Sequence, residues 1–238
     1  MAVVTRYFST TSAGAGDGTT WADRAALFSG GNWSSIITGF AFNVGNALEA
    51  RVGPGNYTVT QNLVPGLFAN PPTILNPIVI RACDSSGSNW IPPSPSWLSC
   101  TPTWDTTNMP IITCGTTITA RAMDLSNAVV IGLSWRPGPS GHFQTLVNGG
   151  SFHWNYFLLN VGGNQGIGGS TSAFWNCSTL VTANIGSGGA GGMEGSAFNC
   201  RCESTNAGNS GPGMIVQNGS FFNCTLIVTG KQIGRAHV

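Results

Sequence analysis

Apolar residues fall in short runs along this chain, and several runs alternate with polar ones. After Asn199 the order is Cys200, Arg201, Cys202, Glu203, so a period of two sets both sulfurs on one face and both charges on the other. The Cys face is the expected core. The stretch 127–133 is nearly continuous in apolar residues, as a strand buried in a parallel sheet should be. Looser versions of the same pattern occupy 47–59, 77–82, 110–119 and 127–135.

The second half repeats a phrase: Trp154-Asn155-Tyr156, Trp175-Asn176-Cys177, Phe198-Asn199-Cys200 and Phe222-Asn223-Cys224. Its Asn residues are separated by 21, 23 and 24 positions. That period is short for helical-pair repeats and suits one turn of a β-solenoid, since the Leu-x-x-Leu-x-Leu pattern of leucine-rich repeats is absent. In each copy an aromatic residue leads to Asn and then to a strand, and Gly-rich loops follow at 162–169, 186–195 and 206–213. Asn tolerates a left-handed backbone and bonds to its own main chain, so it predicts a sharp bend between strands. Stacked once per coil, these Asn residues predict a side-chain amide ladder, with Cys177, Cys200 and Cys224 stacked beside it as core filling. The aromatic column Trp154, Trp175, Phe198 and Phe222 is expected to fill the core, because aromatic residues contribute heavily to burial. Facing outward, the same column would be a sugar-stacking platform.

Composition fits an all-β repeat protein. Of 238 residues, 34 are Gly and 41% are hydrophobic, enough to offset chain entropy. Only 7% are charged, against roughly 25% in an ordinary domain. Net charge is +1 and Lys231 is the sole lysine, so there is no basic stripe to attract nucleic acid. No run approaches the roughly 20 apolar residues of a membrane helix, and no membrane insertion is expected. The first residues show no secretory signal, and the expected location is a virion or an extracellular cell surface. Seven Cys residues are read as reduced, buried thiols, with a bridge from Cys83 to Cys100 or Cys114 as the alternative. Residues 232–238 match the translation of a sequencing adapter and are expected to be a non-native tail on a truncated chain.

The opening Tyr7-Phe8-Ser9-Thr10-Thr11-Ser12-Ala13-Gly14-Ala15-Gly16-Asp17-Gly18-Thr19-Thr20-Trp21 resembles the first segment of pectate-lyase-like β-helix proteins. There a strand and a Gly-Asp-Gly-Thr-x-Trp turn precede a capping helix, which here would begin in 22–28. Arg51-Val52-Gly53-Pro54-Gly55-Asn56-Tyr57-Thr58 is similar to that family's first coil. The resemblance implies an all-β fold, a right-handed parallel β-helix with a short N-terminal capping helix. The chain is expected to divide into an N-terminal strand and cap at 1–46, coils at 47–230 with an insertion at about 84–109, and the non-native tail at 231–238.

The superfamily includes lyases, hydrolases, adhesins and phage tailspikes, so activity is argued from residues. Lyase chemistry needs acidic Ca²⁺ ligands and a basic residue to take a proton beside the sugar carboxylate. The chain has eight acidic residues without an Asp-x-Asp pair. Arg121 with Asp124 is the best pair it offers, read as a surface Arg and a turn Asp. Hydrolysis needs two carboxylates about 5 to 9.5 Å apart. The sequence Ser140-Gly141-His142-Phe143 departs from the polygalacturonase Gly-His-Gly motif at its last position. The catalytic candidates are therefore Arg121, Asp124, His142 and Glu194. His153 has no second ligand at zinc spacing, and no metal is expected; Ca²⁺ enters only under the lyase reading. Trp90, Trp97 and Trp104, in the Pro- and Ser-rich insertion, are the candidates for an exposed binding surface. The expected function is a non-catalytic, carbohydrate-associated β-helix of a phage-tail or adhesin-like surface protein, with polysaccharide or cell-surface glycan as partner. The alternatives are a truncated polysaccharide lyase or glycoside hydrolase, and a structural fibre segment that forms homotrimers.

Overall fold

In the computed structural model the alternating segments are strands, laid side by side in one direction. The structure describes residues 2–90, 109–115, 122–137, 147–159, 167–168, 171–182, 195–204 and 220–228. Among them the chain is mainly β, in long parallel sheets compatible with the expected coil. A nine-stranded sheet runs, in spatial order, through Phe221–Phe222, Ser196–Phe198, Ala173–Trp175, Ser151–His153, Ala128–Ile131, Ile78–Ala82, Asn46–Val52, Ala2–Ser9 and Ala25–Ala26. A seven-stranded sheet runs through Thr225–Val228, Arg201–Ser204, Ser178–Val181, Tyr156–Leu159, Ser134–Arg136, Pro110–Cys114 and Gly55–Val59. From Ser151 onward the described strands alternate between these two sheets, with a two-residue bend between each pair. A parallel pair, Met123–Asp124 with Val147–Asn148, forms a third, short face. No helix among the described residues is long and apolar enough to cross a membrane.

Alternation within each strand decides what is buried. Ala50, Ile80, Val130, Phe152, Phe174 and Ala197 stack in register along the nine-stranded sheet, and all belong to one buried cluster. Tyr57, Ile112, Trp135 and Phe157 meet them from the seven-stranded sheet. Each large side chain so buried contributes about 1.5–3 kcal/mol.

Two expectations change at this level. The helix expected to begin in 22–28 is not there: Ala25–Ala26 and Phe28–Ser29 are short strands. Asp17 and Asp23 tie that turn down through hydrogen bonds to Thr19 and Thr20, and Ala25 continues beside Phe8 as a sheet edge. The one α-helical turn among the described residues is Ser35–Thr38, N-capped by Ser34 Oγ, which accepts from Ile36 N–H at 3.3 Å.

The second change concerns repeat register. His153, Trp175, Phe198 and Phe222 lie side by side, so Trp154 matches Asn176 and Asn155 matches Cys177. The phrase beginning at Trp154 is therefore one residue out of step with the later copies. The backbone agrees: the left-handed residues are Trp154, Asn176, Asn199 and Asn223, at φ of 57°, 53°, 50° and 52°. The amide ladder exists where Asn223 Nδ2 donates to Asn199 Oδ1 at 2.8 Å.

Asn155 instead heads the column of Cys177, Cys200 and Cys224. Its Nδ2 donates to the carbonyls of Val130 (2.8 Å) and His153 (3.0 Å). Its Oδ1 accepts from Leu133 N–H (3.3 Å) and the Trp135 indole N–H (3.0 Å). The cysteines repeat this pattern more weakly. Cys177 Sγ donates to Phe152 and Trp175 carbonyls, while Cys200 Sγ accepts from Cys177 N–H at 3.4 Å. Cys83 and Cys114 are free thiols, so no bridge joins them, and Cys100 lies outside the described residues. Burial pushes the Cys83, Cys114 and Cys202 thiols up to about 12, leaving them protonated and unreactive at neutral pH.

Candidate functional site

The outer face of the nine-stranded sheet carries one column of side chains across every strand but the edge strand Ala25–Ala26: Tyr7, Arg51, Arg81, Ile131, His153, Trp175, Phe198 and Phe222. Each points away from the core because its chain neighbour points in; Phe174 and Ala197 are fully buried beside Trp175 and Phe198. Trp175 is 38% exposed and Phe222 69%. Trp175, Phe198 and Phe222 thus face outward, against the expectation that they fill the core. Each repeat offers two adjacent apolar residues, such as Phe174-Trp175 and Phe221-Phe222, and only the register of the bend decides which one turns inward.

The column divides into an aromatic half and a charged half. In the aromatic half, His153 lies parallel to Trp175 (6.1 Å between centroids, 5° between planes), and Trp175 stacks on Phe198 (4.0 Å, 12°). Ser151 Oγ meets His153 Nε2 at 2.8 Å and fixes the imidazole. Burial holds the His153 pKa below its ordinary value, favouring a neutral ring on the indole. Because Trp175 and Phe198 turn their faces to each other, they present ring edges to solvent. Those edges carry the positive end of the quadrupole and suit hydroxyl oxygens.

In the charged half, Glu49 stands beside the column and ties its members together. Its Oε2 accepts from Arg51 Nη2 and Thr5 Oγ1, and its Oε1 accepts from Arg81 Nη1, each at 3.2 Å. Arg51 also reaches Tyr7 Oη and Gly87 O at 3.4 Å, and its guanidinium lies 5.5 Å over the Tyr7 ring. Burial alone would raise the Glu49 pKa, but the bonds to Arg51, Arg81 and Thr5 and the Arg51 charge outweigh it and hold the carboxyl below its ordinary 4.5. A folded-state pKa below the unfolded one stabilises the protein above pH 4.5, and that contribution is lost as pH falls through the folded value. Below pH 4.5 the melting temperature of the native protein is therefore expected to fall more steeply than that of Glu49→Gln, whose profile lacks this titration. Parallel slopes in a pH series of melting curves would contradict it.

The bend beside this column carries a second feature. A left-handed backbone at a residue as bulky as Trp154 costs about 1–3 kcal/mol, where Asn or Gly adopts it readily. One repeat earlier the same place is Gly132, at φ 76°. Trp90 lies over Gly132, its Cε3 2.6 Å from where a Cβ would stand, so no larger residue fits there. Trp90 and Trp154, both half-buried, therefore flank the head of the aromatic half.

Of the residues singled out from sequence, Trp90 is thus placed beside the exposed column. Asp124 lies on the short third face, where its Oδ1 accepts from Asn148 Nδ2 at 2.8 Å. Arg121, His142, Glu194, Trp97 and Trp104 lie outside the described residues, as does 231–238. Among the described residues no three His, Cys, Asp or Glu side chains gather as a metal site would require. Sequence reading missed the Glu49, Arg51 and Arg81 network, although alternation along Asn46–Val52 already sets Glu49 and Arg51 on one face.

No protein-family model, curated protein or solved structure matches this chain.

Proposed function

We propose that the chain is a right-handed parallel β-helix of the pectate-lyase-like kind, whose nine-stranded face is a non-catalytic carbohydrate-binding surface in a phage-tail or adhesin-like protein. The observation that carries this reading is the outward aromatic column. Soluble proteins seldom leave stacked aromatic rings on an open sheet without a partner for them, and Trp175 and Phe222 are exposed on a rigid scaffold. Ring edges, the apolar rims of Trp175 and Phe222, and the hydroxyls of Ser151 and Ser196, each two residues before its column residue on the same strand, match the mixed C–H and O–H surface of a sugar. Parallel strands repeating about 4.8 Å apart favour a ligand that is itself an extended repeating chain.

The test is binding to an immobilised panel of neutral and acidic hexasaccharides, alongside sedimentation analysis of the same protein. Saturable binding by the native protein and its loss in Trp175→Ala, with sedimentation unchanged, support the carbohydrate face. No binding to any member, with a trimer that Trp175→Ala dissociates, would make the column a subunit interface and overturn the reading.

A further inference from the structure

We propose that Trp154 is a ligand-contacting residue of this face, kept in a strained backbone conformation because its indole supplies a ring surface at the head of the column, where His153, Trp175 and Phe198 are stacked on one another. The inference rests on the carbohydrate reading above.

Four bends are equivalent by their hydrogen bonds. Gly132 N–H donates to His153 O (3.0 Å), Trp154 N–H to Trp175 O (2.9 Å), Asn176 N–H to Phe198 O (3.0 Å) and Asn199 N–H to Phe222 O (2.9 Å). Each donor has a positive φ. Three of these places are filled by Gly or Asn, the residues that adopt the left-handed region most readily. Trp has no such preference, and the bend does not require it, since Asn serves the identical role one and two repeats later. Strain that the local fold does not need is a mark of a functional position.

The surroundings say what that function is. Trp154 follows His153 in the chain and so stands at the head of the aromatic half, next to the bend that Trp90 covers. Trp154 is not part of the buried cluster. Trp175 and Phe198 stack on each other, whereas Trp154 stacks on no other ring among the described residues. Stacking a pyranose ring requires a free aromatic face; Trp90 lays its ring over Gly132, whereas no ring among the described residues stacks on Trp154.

The experiment uses the full chain and the hexasaccharide that the native protein binds most tightly on the panel. Trp154→Asn copies the neighbouring bends. It is expected to raise Tm by about 2–4 °C through relief of strain and to weaken binding about tenfold, a change typical of losing one aromatic contact. Trp154→Tyr keeps a ring and is expected to retain binding within about threefold of the native protein. Binding by Trp154→Asn at native strength, while Trp175→Ala loses it, would overturn this inference and leave the carbohydrate face standing. A lower Tm for Trp154→Asn would also overturn it, because the indole would then be structural filling. If the native protein binds no hexasaccharide, the carbohydrate reading itself falls.

Discussion

Replacing Asn155 by Ala is expected to lower the melting temperature by roughly 10 °C, the most severe single change at any described bend. Asn155 is fully buried and its amide uses all its bonding capacity, two donors and two acceptor contacts, and of its four partners Val130, Leu133 and Trp135 are buried as well. Truncation removes the side-chain partner of the Leu133 N–H and the Trp135 indole N–H and leaves two carbonyls short of a donor. Each buried donor stranded in this way costs about 1–3 kcal/mol, and the cavity adds to that. The following repeats indicate the ranking of substitutes. Cys177 and Cys200 occupy the same place and make thiol versions of the same contacts. Asn155→Cys should therefore lie between the native protein and Asn155→Ala, since a thiol reaches both carbonyls but is a poor acceptor for the indole. Asn155→Asp keeps the shape but loses the donors and buries a charge, and should fare as badly as Ala. Melting curves followed by circular dichroism rank the four proteins, and an Ala variant within 2–3 °C of native (about 1 kcal/mol) would show that the network contributes little.

Phe174→Ala and Trp175→Ala, one residue apart, are expected to behave as opposites. Phe174 is fully buried, stacked on Phe152 at 5.3 Å and edge-on to Phe157 at 5.8 Å. Its loss should cost about 3–5 kcal/mol, the range for Phe→Ala in a packed core. Trp175 contacts its ladder neighbours from outside, so its loss should cost about 0.5–1.5 kcal/mol, the worth of an aromatic pair, while abolishing hexasaccharide binding. The comparison tests the register directly. If Trp175→Ala were the destabilising member, the strand Ala173–Trp175 would be turned over and the outward column would not exist.

What was legible in the residues follows from periodicity. The short apolar runs, the recurrence of Asn near every 23 residues, Gly in the loops and the alternation after Asn199 are properties of neighbouring positions, and they sufficed for parallel β strands, bends at Asn and stacked buried thiols. Even so, the helix expected in 22–28 gave way to strands, because pairing with Phe8 and Ser9 is a contact across 17 residues that no local pattern reveals.

The candidate face was less legible, for one reason. A two-residue period has two phases, and aromatic side chains at adjacent positions such as Phe174-Trp175 satisfy both. Matching Asn155 to Asn176 by identity chose the wrong phase for its copy, since a one-residue slip exchanges inside for outside. Only the packed structure chose between them, through the polar groups waiting in the interior. The Val130 carbonyl and the Trp135 indole call for a partner that both donates and accepts, and Asn155 provides it. That demand sends Asn155 inward, leaves Trp154 on the left-handed bend and turns His153, Trp175, Phe198 and Phe222 toward solvent. The sequence by itself determined that this chain builds parallel strands and bends; which aromatic residues became core and which became surface was decided only when buried hydrogen bonds had to be satisfied across neighbouring repeats.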